Sequence, residues 1–370
     1  MIRKVFVVAN PVAGRPGEAI LNVLAGVFRR AGVRWDLAVT HEMGDGTRLA
    51  RRALEDGPDA IAVYGGDGTV REVAAALRGA QVPIAILPGG TGNVFSVAMG
   101  IPRAIRRAAE LIVGQHRIRQ VDVGMAGDEP FLVAAATGLI ADVMEGADRD
   151  LKSQLGYSAY LLAGFRELTA VQPAAYRLDL PTQTVKEVGV ACLVSNTGGV
   201  GISGVSMPRD GSNADGLLDV ILFQGVDPQS VLSIAAHIVG LEGVAPPLPH
   251  WSVQCVRVEA DPPQLITCDG DIVGRTPVDI RIEPCALRVI VPEGPASALA
   301  AGKHTPSSLP RKSARCPECA SQPSRPCRRC SVSSRSRRRE PGSCPPHREA
   351  ESPHPRSRRC PSRRPGGRAP

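Results

Sequence analysis

The first 302 residues predict an α/β protein in two parts. The first part is an N-terminal three-layer, parallel-sheet domain. The second is a C-terminal β-sandwich domain. Three observations predict this. Strand, loop and helix patterns alternate from Ile2 to about Gln120, which builds a parallel sheet covered by helices on both faces. Beyond Gln120, short strand-like runs separated by turn residues take over, as in a sandwich. Glycine-bearing turns also end three strands of the first part, and open α/β sheets bind ligands outside such strand ends.

The elements follow in order. "IRKVFVVAN" reads as a buried strand and "PVAGRPG" as a loop. "EAILNVLAGVFRRAG" has helical spacing and stops at Gly32. "VRWDLAVT" is a strand. "DGTRLARRALEDG" is a helix from about Asp45 to Gly57. "AIAVY" and "PIAILP" are strands flanking the helix "TVREVAAALRG", and "VFSVAMGI" and "RAIRRAAELIVG" close the set as helices. The sandwich strands are "QVDVGMAG", "EPFLVAAATG", "AYRLDL", "EVGVACLVSN", "LLDVILFQG", "VQCVRVEA", "QLITCDGD", "VDIRIEP" and "LRVIVP". Two helices are expected among them, near 152–169 and 229–240. The domains are therefore placed at 1–120, completed by about 287–296, and at 121–290.

A chain of 370 residues with 43% hydrophobic content can bury two cores, and with 3% aromatics they must be filled by Val, Leu, Ile and Ala. No run reaches the roughly 18 apolar residues of a spanning helix, and "MIRKVFVVAN" does not read as a secretory signal. The expected location is the cytoplasm. The net charge of +8 hides a division. Residues 303–370 hold 18 Lys and Arg against 4 Asp and Glu, which leaves residues 1–302 at −6. That segment is rich in Arg, Pro, Ser and Cys and lacks apolar periodicity, so it is expected to be disordered. Its two CxxC pairs, Cys316/Cys319 and Cys327/Cys330, raise a zinc knuckle, against the plainer reading of an extension without selected structure. Its Arg runs allow nonspecific attraction to anions, with no specific nucleic acid implied. Cys192, Cys255, Cys268 and Cys285, in apolar or strand-like settings, read as buried reduced thiols.

The glycine turns are Asn10–Gly14, Tyr64–Thr69 and Pro88–Asn93. Gly65, Gly66, Gly68, Gly90 and Gly92 let the backbone come close to a ligand. A helix beginning at the turn points free N–H groups at an anion. Thr69 and Thr91 add hydroxyl donors, and Asn93 ends the last turn. Asp67 is the odd group, because a bare carboxylate repels phosphate. It either caps a helix through its side chain or meets Mg²⁺, which binds through one or two carboxylates together with phosphate oxygens. Three turns together favour the second. The Gly-Lys-Ser/Thr of a P-loop is absent, and so is a GxGxxG in the first turn.

In order, "NPVAG", "GGDGTVREV", "LPGGTGN", "SNTGGVGISGVSMPRDGSNADGLLDV" and "ITCDGDIVGRTPVDIRIEPCALRVIVP" resemble the diacylglycerol kinase catalytic-domain family. This family includes bacterial soluble lipid kinases and shares a superfamily with sphingosine and ceramide kinases. The resemblance spans about residues 1–295. It implies that the α/β domain is a nucleotide-binding, ATP-holding domain with a cleft between it and the β-sandwich, and that the γ-phosphoryl group of ATP is transferred to a lipid hydroxyl, with Mg²⁺. The implied nucleotide contacts are Asn10, Pro11 and Gly14, Thr40, the run Gly66, Asp67, Gly68, Thr69 to Glu72, and Thr91. A structural Mg²⁺ is implied at Ser212, Asp215 and Leu217. The general base comes from an Asp-Gly-Glu that reads Asp269-Gly270-Asp271 here. Asp271 thus stands one methylene short of the usual Glu, and Asp269 is the second candidate. Val94 replaces a usual acidic residue, and Ala13 a common Ser. The substrate would be met at the membrane surface by a peripheral protein, with a homodimer among the open oligomeric states. Two other readings compete. One is an NAD kinase, which shares a GGDGT turn, although "PGGTGN" and "DGDIVGRTP" speak against it. The other is a weakly catalytic nucleotide- or lipid-binding protein, motivated by Asp271 and Val94.

Overall fold

The computed structural model describes residues 2–14, 17–141, 173–197, 213–224 and 249–293. The two helices expected near 152–169 and 229–240, Ser212, residues 198–200 of the "SNTGGV" segment and the basic tail lie outside the described residues.

The first part alternates as its periodicity predicts. β1 (Lys4–Ala9), β2 (Arg34–Val39), β3 (Ala60–Gly65) and β4 (Ile84–Pro88) are joined through α1 (Gly17–Arg30), α2 (Asp45–Glu55) and α3 (Asp67–Leu77). They pair in parallel in the order β2-β1-β3-β4. β3 and β4 are buried along their whole length and are near-continuously apolar, as central strands of a doubly covered sheet must be. β2, at the edge, keeps its charged residues. Helices α4 (Val94–Ala98) and α5 (Ile105–Val113) follow β4. The core joins Val5, Val7, Phe28, Ile61, Val63, Val73, Leu77, Ile86 and Ile112.

The remaining strands are β5 (Arg117–Ala126), β6 (Glu129–Phe131), β7 (Ala134–Gly138), β8 (Ala174–Asp179), β9 (Thr184–Gly189), β10 (Ala191–Ser195), β11 (Leu218–Phe223), β12 (His250–Val253), β13 (Cys255–Asp261), β14 (Leu265–Cys268), β15 (Asp271–Arg275) and β16 (Val278–Val291). Two runs that read as single strands break in two and change sheets. β6 stays in the first sheet while β7 enters the second, and β9 and β10 divide the same way; β12 and β13 also lie in different sheets, β12 falling almost wholly before the run that opens at Val253. Strands that switch sheets through a bend make the corners of a sandwich. Conversely, the two closing runs are one strand, β16. Its far end lies parallel to β4, with Val289 beside Ile84, and its near end pairs antiparallel with β13. One ten-stranded sheet therefore runs from the parallel part into the sandwich, facing a six-stranded antiparallel sheet, β12-β11-β10-β7-β14-β15. Tyr176, Leu178, Val256, Val258, Ile280 and Ile282 of the first sheet meet Cys192, Val194, Val220, Leu222, Ile266 and Cys268 of the second.

β16 carries a bulge between Glu283 and Leu287 in its pairing with β5. Of the four cysteines, Cys192 and Cys268 are buried and Cys255 is half-buried. The expectation of burial fails at Cys285, which sits in this bulge at φ 51 and is exposed.

Candidate active site

The three glycine turns come together at the carboxyl ends of β1, β3 and β4. Their glycines are needed first against one another. A Cβ on Gly90 would lie 2.5 Å from the Gly66 Cα, and one on Gly14 would lie 2.6 Å from the Gly89 carbonyl oxygen. Neither obstacle is a side chain that can swing away. Gly90→Ala is expected to destabilise the protein by about 1–3 kcal/mol through overpacking, read as a lower urea midpoint at unchanged slope.

Asn10 ties the first turn to the second. Its backbone N–H donates to the Tyr64 carbonyl (2.8 Å) and its side-chain amide to Thr69 Oγ1 (3.1 Å), and its Oδ1 accepts the Val12 N–H (3.1 Å). The Tyr64 hydroxyl donates to the Ala13 carbonyl at 2.5 Å. Pro11 and Gly14 are exposed on this loop. Thr40 is buried at the end of β2, its N–H on the Ala9 carbonyl. Asn93, left-handed at φ 49, accepts the Gly90 N–H and returns its amide to the Gly90 carbonyl. Thr91 is exposed at the tip of the third turn.

Asp67 answers the alternative posed by its sequence in an unexpected way. It caps a helix, but not its own. Its Oδ2 accepts the Val94 N–H (3.1 Å) and its Oδ1 the Phe95 N–H (3.2 Å), the first two N–H groups of α4. Burial pushes its carboxyl above the usual carboxylate range, and the N–H donors offset only part of that effect. Glu72 is likewise committed: its carboxylate accepts the N–H groups of Gly44 (3.0 Å) and Gly46 (2.8 Å) at the start of α2. Glu72 therefore holds the neighbouring loop in place and has both oxygens engaged.

The hairpin β14–β15 brings the second half of the site. Cys268 pairs with Asp271 across Asp269 and Gly270, at φ 51 and 95. Two positive φ values in a two-residue loop are what Asp-Gly serves best. Asp269 then turns inward. Its Oδ2 accepts the Leu132 N–H (2.7 Å) and its Oδ1 those of Val133 (2.9 Å) and Ala134 (3.0 Å). These are the residues where the chain leaves β6 for β7. Burial nonetheless pushes Asp269 up to about 6, against the three N–H donors and with the charge of Asp67 adding to the rise. Asp269 is a corner clamp with its oxygens occupied. Asp271 is not: its Oδ2 lies 3.1 Å from where a Cβ on Gly68 would be and accepts from Arg71 NH2 at 3.0 Å.

Arg71 and Glu129 escaped the sequence reading. Arg71 sits on α3 with its side chain 9% exposed, bridging Asp271 and Glu129, the latter at 3.2 Å. Of the expected metal ligands, Asp215 is exposed and its Oδ1 accepts the Leu217 N–H at 3.0 Å. Among the described residues, no three His, Cys, Asp or Glu side chains gather as a metal-binding group.

Glycine turns at the carboxyl ends of parallel strands, faced by a carboxylate from a β-sandwich, define a phosphotransferase of the two-part α/β kinase class. The comparisons agree. Residues 4–126 match the model of the diacylglycerol kinase catalytic domain, and residues 133–291 that of the YegS C-terminal NAD kinase β-sandwich-like domain. A Pseudomonas putida protein named lipid kinase YegS-like is 34% identical over 73% of this chain and 89% of its own. A Mycobacterium tuberculosis protein named diacylglycerol kinase is 30% identical over 79% and 96%. An uncharacterized Synechocystis protein is 31% identical over 64% of this chain, which spans 56% of that longer protein. A crystal structure from Bacillus anthracis superimposes with a TM-score of 0.68 at 25% identity, covering 79% of this chain and 96% of its own. The chain belongs to the diacylglycerol kinase catalytic-domain family, and it is a lipid-kinase-type phosphotransferase with an alcohol group as acceptor.

Proposed function

We propose that this protein transfers the γ-phosphoryl group of Mg-ATP to the hydroxyl of a diacylglycerol-like lipid. The observation that supports it most is the seat of Asp271, a carboxylate from the sandwich abutting the Gly66–Thr69 turn at Gly68. In this reading residues 1–120, completed by the end of β16, receive the nucleotide, and residues 121–290 the lipid. The backbone N–H groups at the start of α3 face the phosphates, and Asn10 and Thr69 fix the first two turns to each other. Asp271 takes the proton from the lipid hydroxyl as its oxygen bonds to the γ-phosphorus. The bond from that phosphorus to the bridging oxygen breaks, and ADP leaves with the electron pair.

Asp67 fits Mg²⁺ by its chemistry: it is a hard oxygen donor beside the turns, and its charge is only partly offset by two N–H groups. The ion, when bound, would neutralise phosphate charge. In this reading the lipid is met by peripheral association at the cytoplasmic face of a membrane; among the described residues no helix is long and apolar enough to cross one.

The test is transfer of radiolabelled γ-phosphate by the full chain to lipids in mixed micelles, with Mg²⁺, and with NAD as a competing acceptor. Label in a lipid supports the proposal. Label in NAD would move the chain to the other activity. Asp67→Asn is expected to lower transfer by about 10²-fold, because an amide also turns an N–H donor toward the start of α4. An Asp67→Asn rate within threefold of wild type would remove Asp67 from the site.

A further inference from the structure

We propose that Arg71, braced by Glu129, is a positioning residue that holds Asp271 for proton abstraction and makes up for its short side chain. The inference rests on Asp271 as the base. Asp271 opens β15, the edge strand of its sheet, and its side chain is 41% exposed, so strand packing alone does little to fix its rotamer. Two things confine it. One is the open space left by Gly68; the other is the guanidinium of Arg71, whose NH2 donates to Oδ2 at 3.0 Å. With Oδ2 engaged, Oδ1 is the oxygen left for a lipid hydroxyl.

Arg71 is built for this task rather than for core filling. Its side chain is 9% exposed while Glu129, its second partner, is 53% exposed. A buried cation reaching two carboxylates nearer the solvent gives little net stability over an apolar side chain of the same volume. Its Nε is buried and, among the described residues, without a partner, which an apolar residue would avoid. A planar fork, however, fixes a carboxylate's position in a way that a single flexible point charge does not. Arg71 also lies on α3, one turn after Asp67 and Gly68. The helix that carries the phosphate-facing turn therefore carries the group that sets the base. Distance between base and turn is governed within a single rigid element.

The expected magnitude follows from geometry. Asp in place of Glu retracts the carboxylate by roughly 1 Å, and a misplacement of that size costs on the order of 10²-fold in rate. The groups facing Asp271 are Arg71 from α3, Asp269 and Cys268 from its own hairpin, and Glu129 from β6 behind the guanidinium. Among these described groups Arg71 is the cation, and its loss leaves Asp271 beside acids.

The experiment compares full-length wild type with Arg71→Met, Arg71→Lys, Glu129→Gln, Asp271→Asn and the Arg71→Met/Asp271→Asn double variant. It measures kcat and KM for diacylglycerol, ATP affinity and thermal melting. Arg71→Met is expected to lower kcat by about 10²-fold with KM and ATP affinity within about threefold. Arg71→Lys should recover only part of kcat. The double variant should be no slower than Asp271→Asn. An unchanged kcat in Arg71→Met overturns the proposal, as does a fall in kcat that tracks melting temperature or that adds in full to the loss in Asp271→Asn. Wild-type transfer surviving in Asp271→Asn would remove the base assignment itself, and the positioning role with it.

Discussion

Asp271→Asn is expected to reduce kcat for phosphoryl transfer by about 10²–10⁴-fold, the usual worth of a positioned general base. The amide can still accept from Arg71 through its oxygen, so the hairpin and the ion-pair network have little reason to collapse. Nucleotide affinity and melting temperature should stay near wild type, which separates loss of the base from loss of the fold. Asp271→Glu is the sharper variant. The resemblance to families with Glu at this position suggests that the longer acid should be at least as good. The geometry says otherwise. Oδ2 already lies 3.0 Å from the Arg71 fork, and it lies 3.1 Å from the space over Gly68. Another methylene has to displace one or the other. Asp271→Glu alone is therefore expected to lower kcat by roughly tenfold, within the range of a sub-ångström misplacement. A Glu variant faster than wild type would show that the site was built for Glu and that Arg71 does not set the base.

The sequence showed which turns matter but not what their side chains touch. The parallel part was legible because its apolar runs and helical spacing are local properties, and β3 and β4 lie where their composition puts them. The sandwich strands were legible as strands but not as members of a sheet. The apolar run continues through the corner, so nothing in "EPFLVAAATG" marks the point where β6 ends and β7 begins. The corner is set by Asp269, 135–137 residues away, which takes the N–H groups of Leu132, Val133 and Ala134. Asp67 was singled out rightly as an odd acid, yet its acceptor role depends on N–H groups 27 and 28 residues later. Arg71 was passed over because an Arg on a helix normally reads as a solvated surface residue. It is buried only because Glu129 and Asp271 arrive from 58 and 200 residues along the chain. One local signal was available: Arg71 falls three residues after Gly68, among the apolar positions Val70, Val73, Ala74 and Leu77 that α3 buries.

Asp122→Ala should produce the largest loss of stability of any single change to the described polar residues. Asp122 is 1% exposed on β5. Its Oδ1 accepts the Cys285 N–H and its Oδ2 the Gly216 N–H, both at 2.7 Å. Its own N–H donates to the Asn213 carbonyl, and its carbonyl accepts from the Asn196 amide. One side chain thus joins β5, the loop before β11 and the bulge of β16. These segments are 94 and 163 residues away from it. Alanine leaves both N–H groups without their acceptor, at about 1–3 kcal/mol each, and adds a small cavity. A loss of about 3–5 kcal/mol is expected, read as a lower urea midpoint with an unchanged slope. Asparagine offers no escape, because one of its two positions presents a donor to a backbone donor, and it should fall within about 1 kcal/mol of the alanine variant. The loop carrying Asp215 and Leu217 is released by the same change. If that loop holds a structural cation, Mg²⁺ should raise the melting temperature of the wild type and not of Asp122→Ala, since a ligand stabilises only a fold that retains its site. A loss below about 1 kcal/mol would mean that water reaches the bulge and replaces the carboxylate.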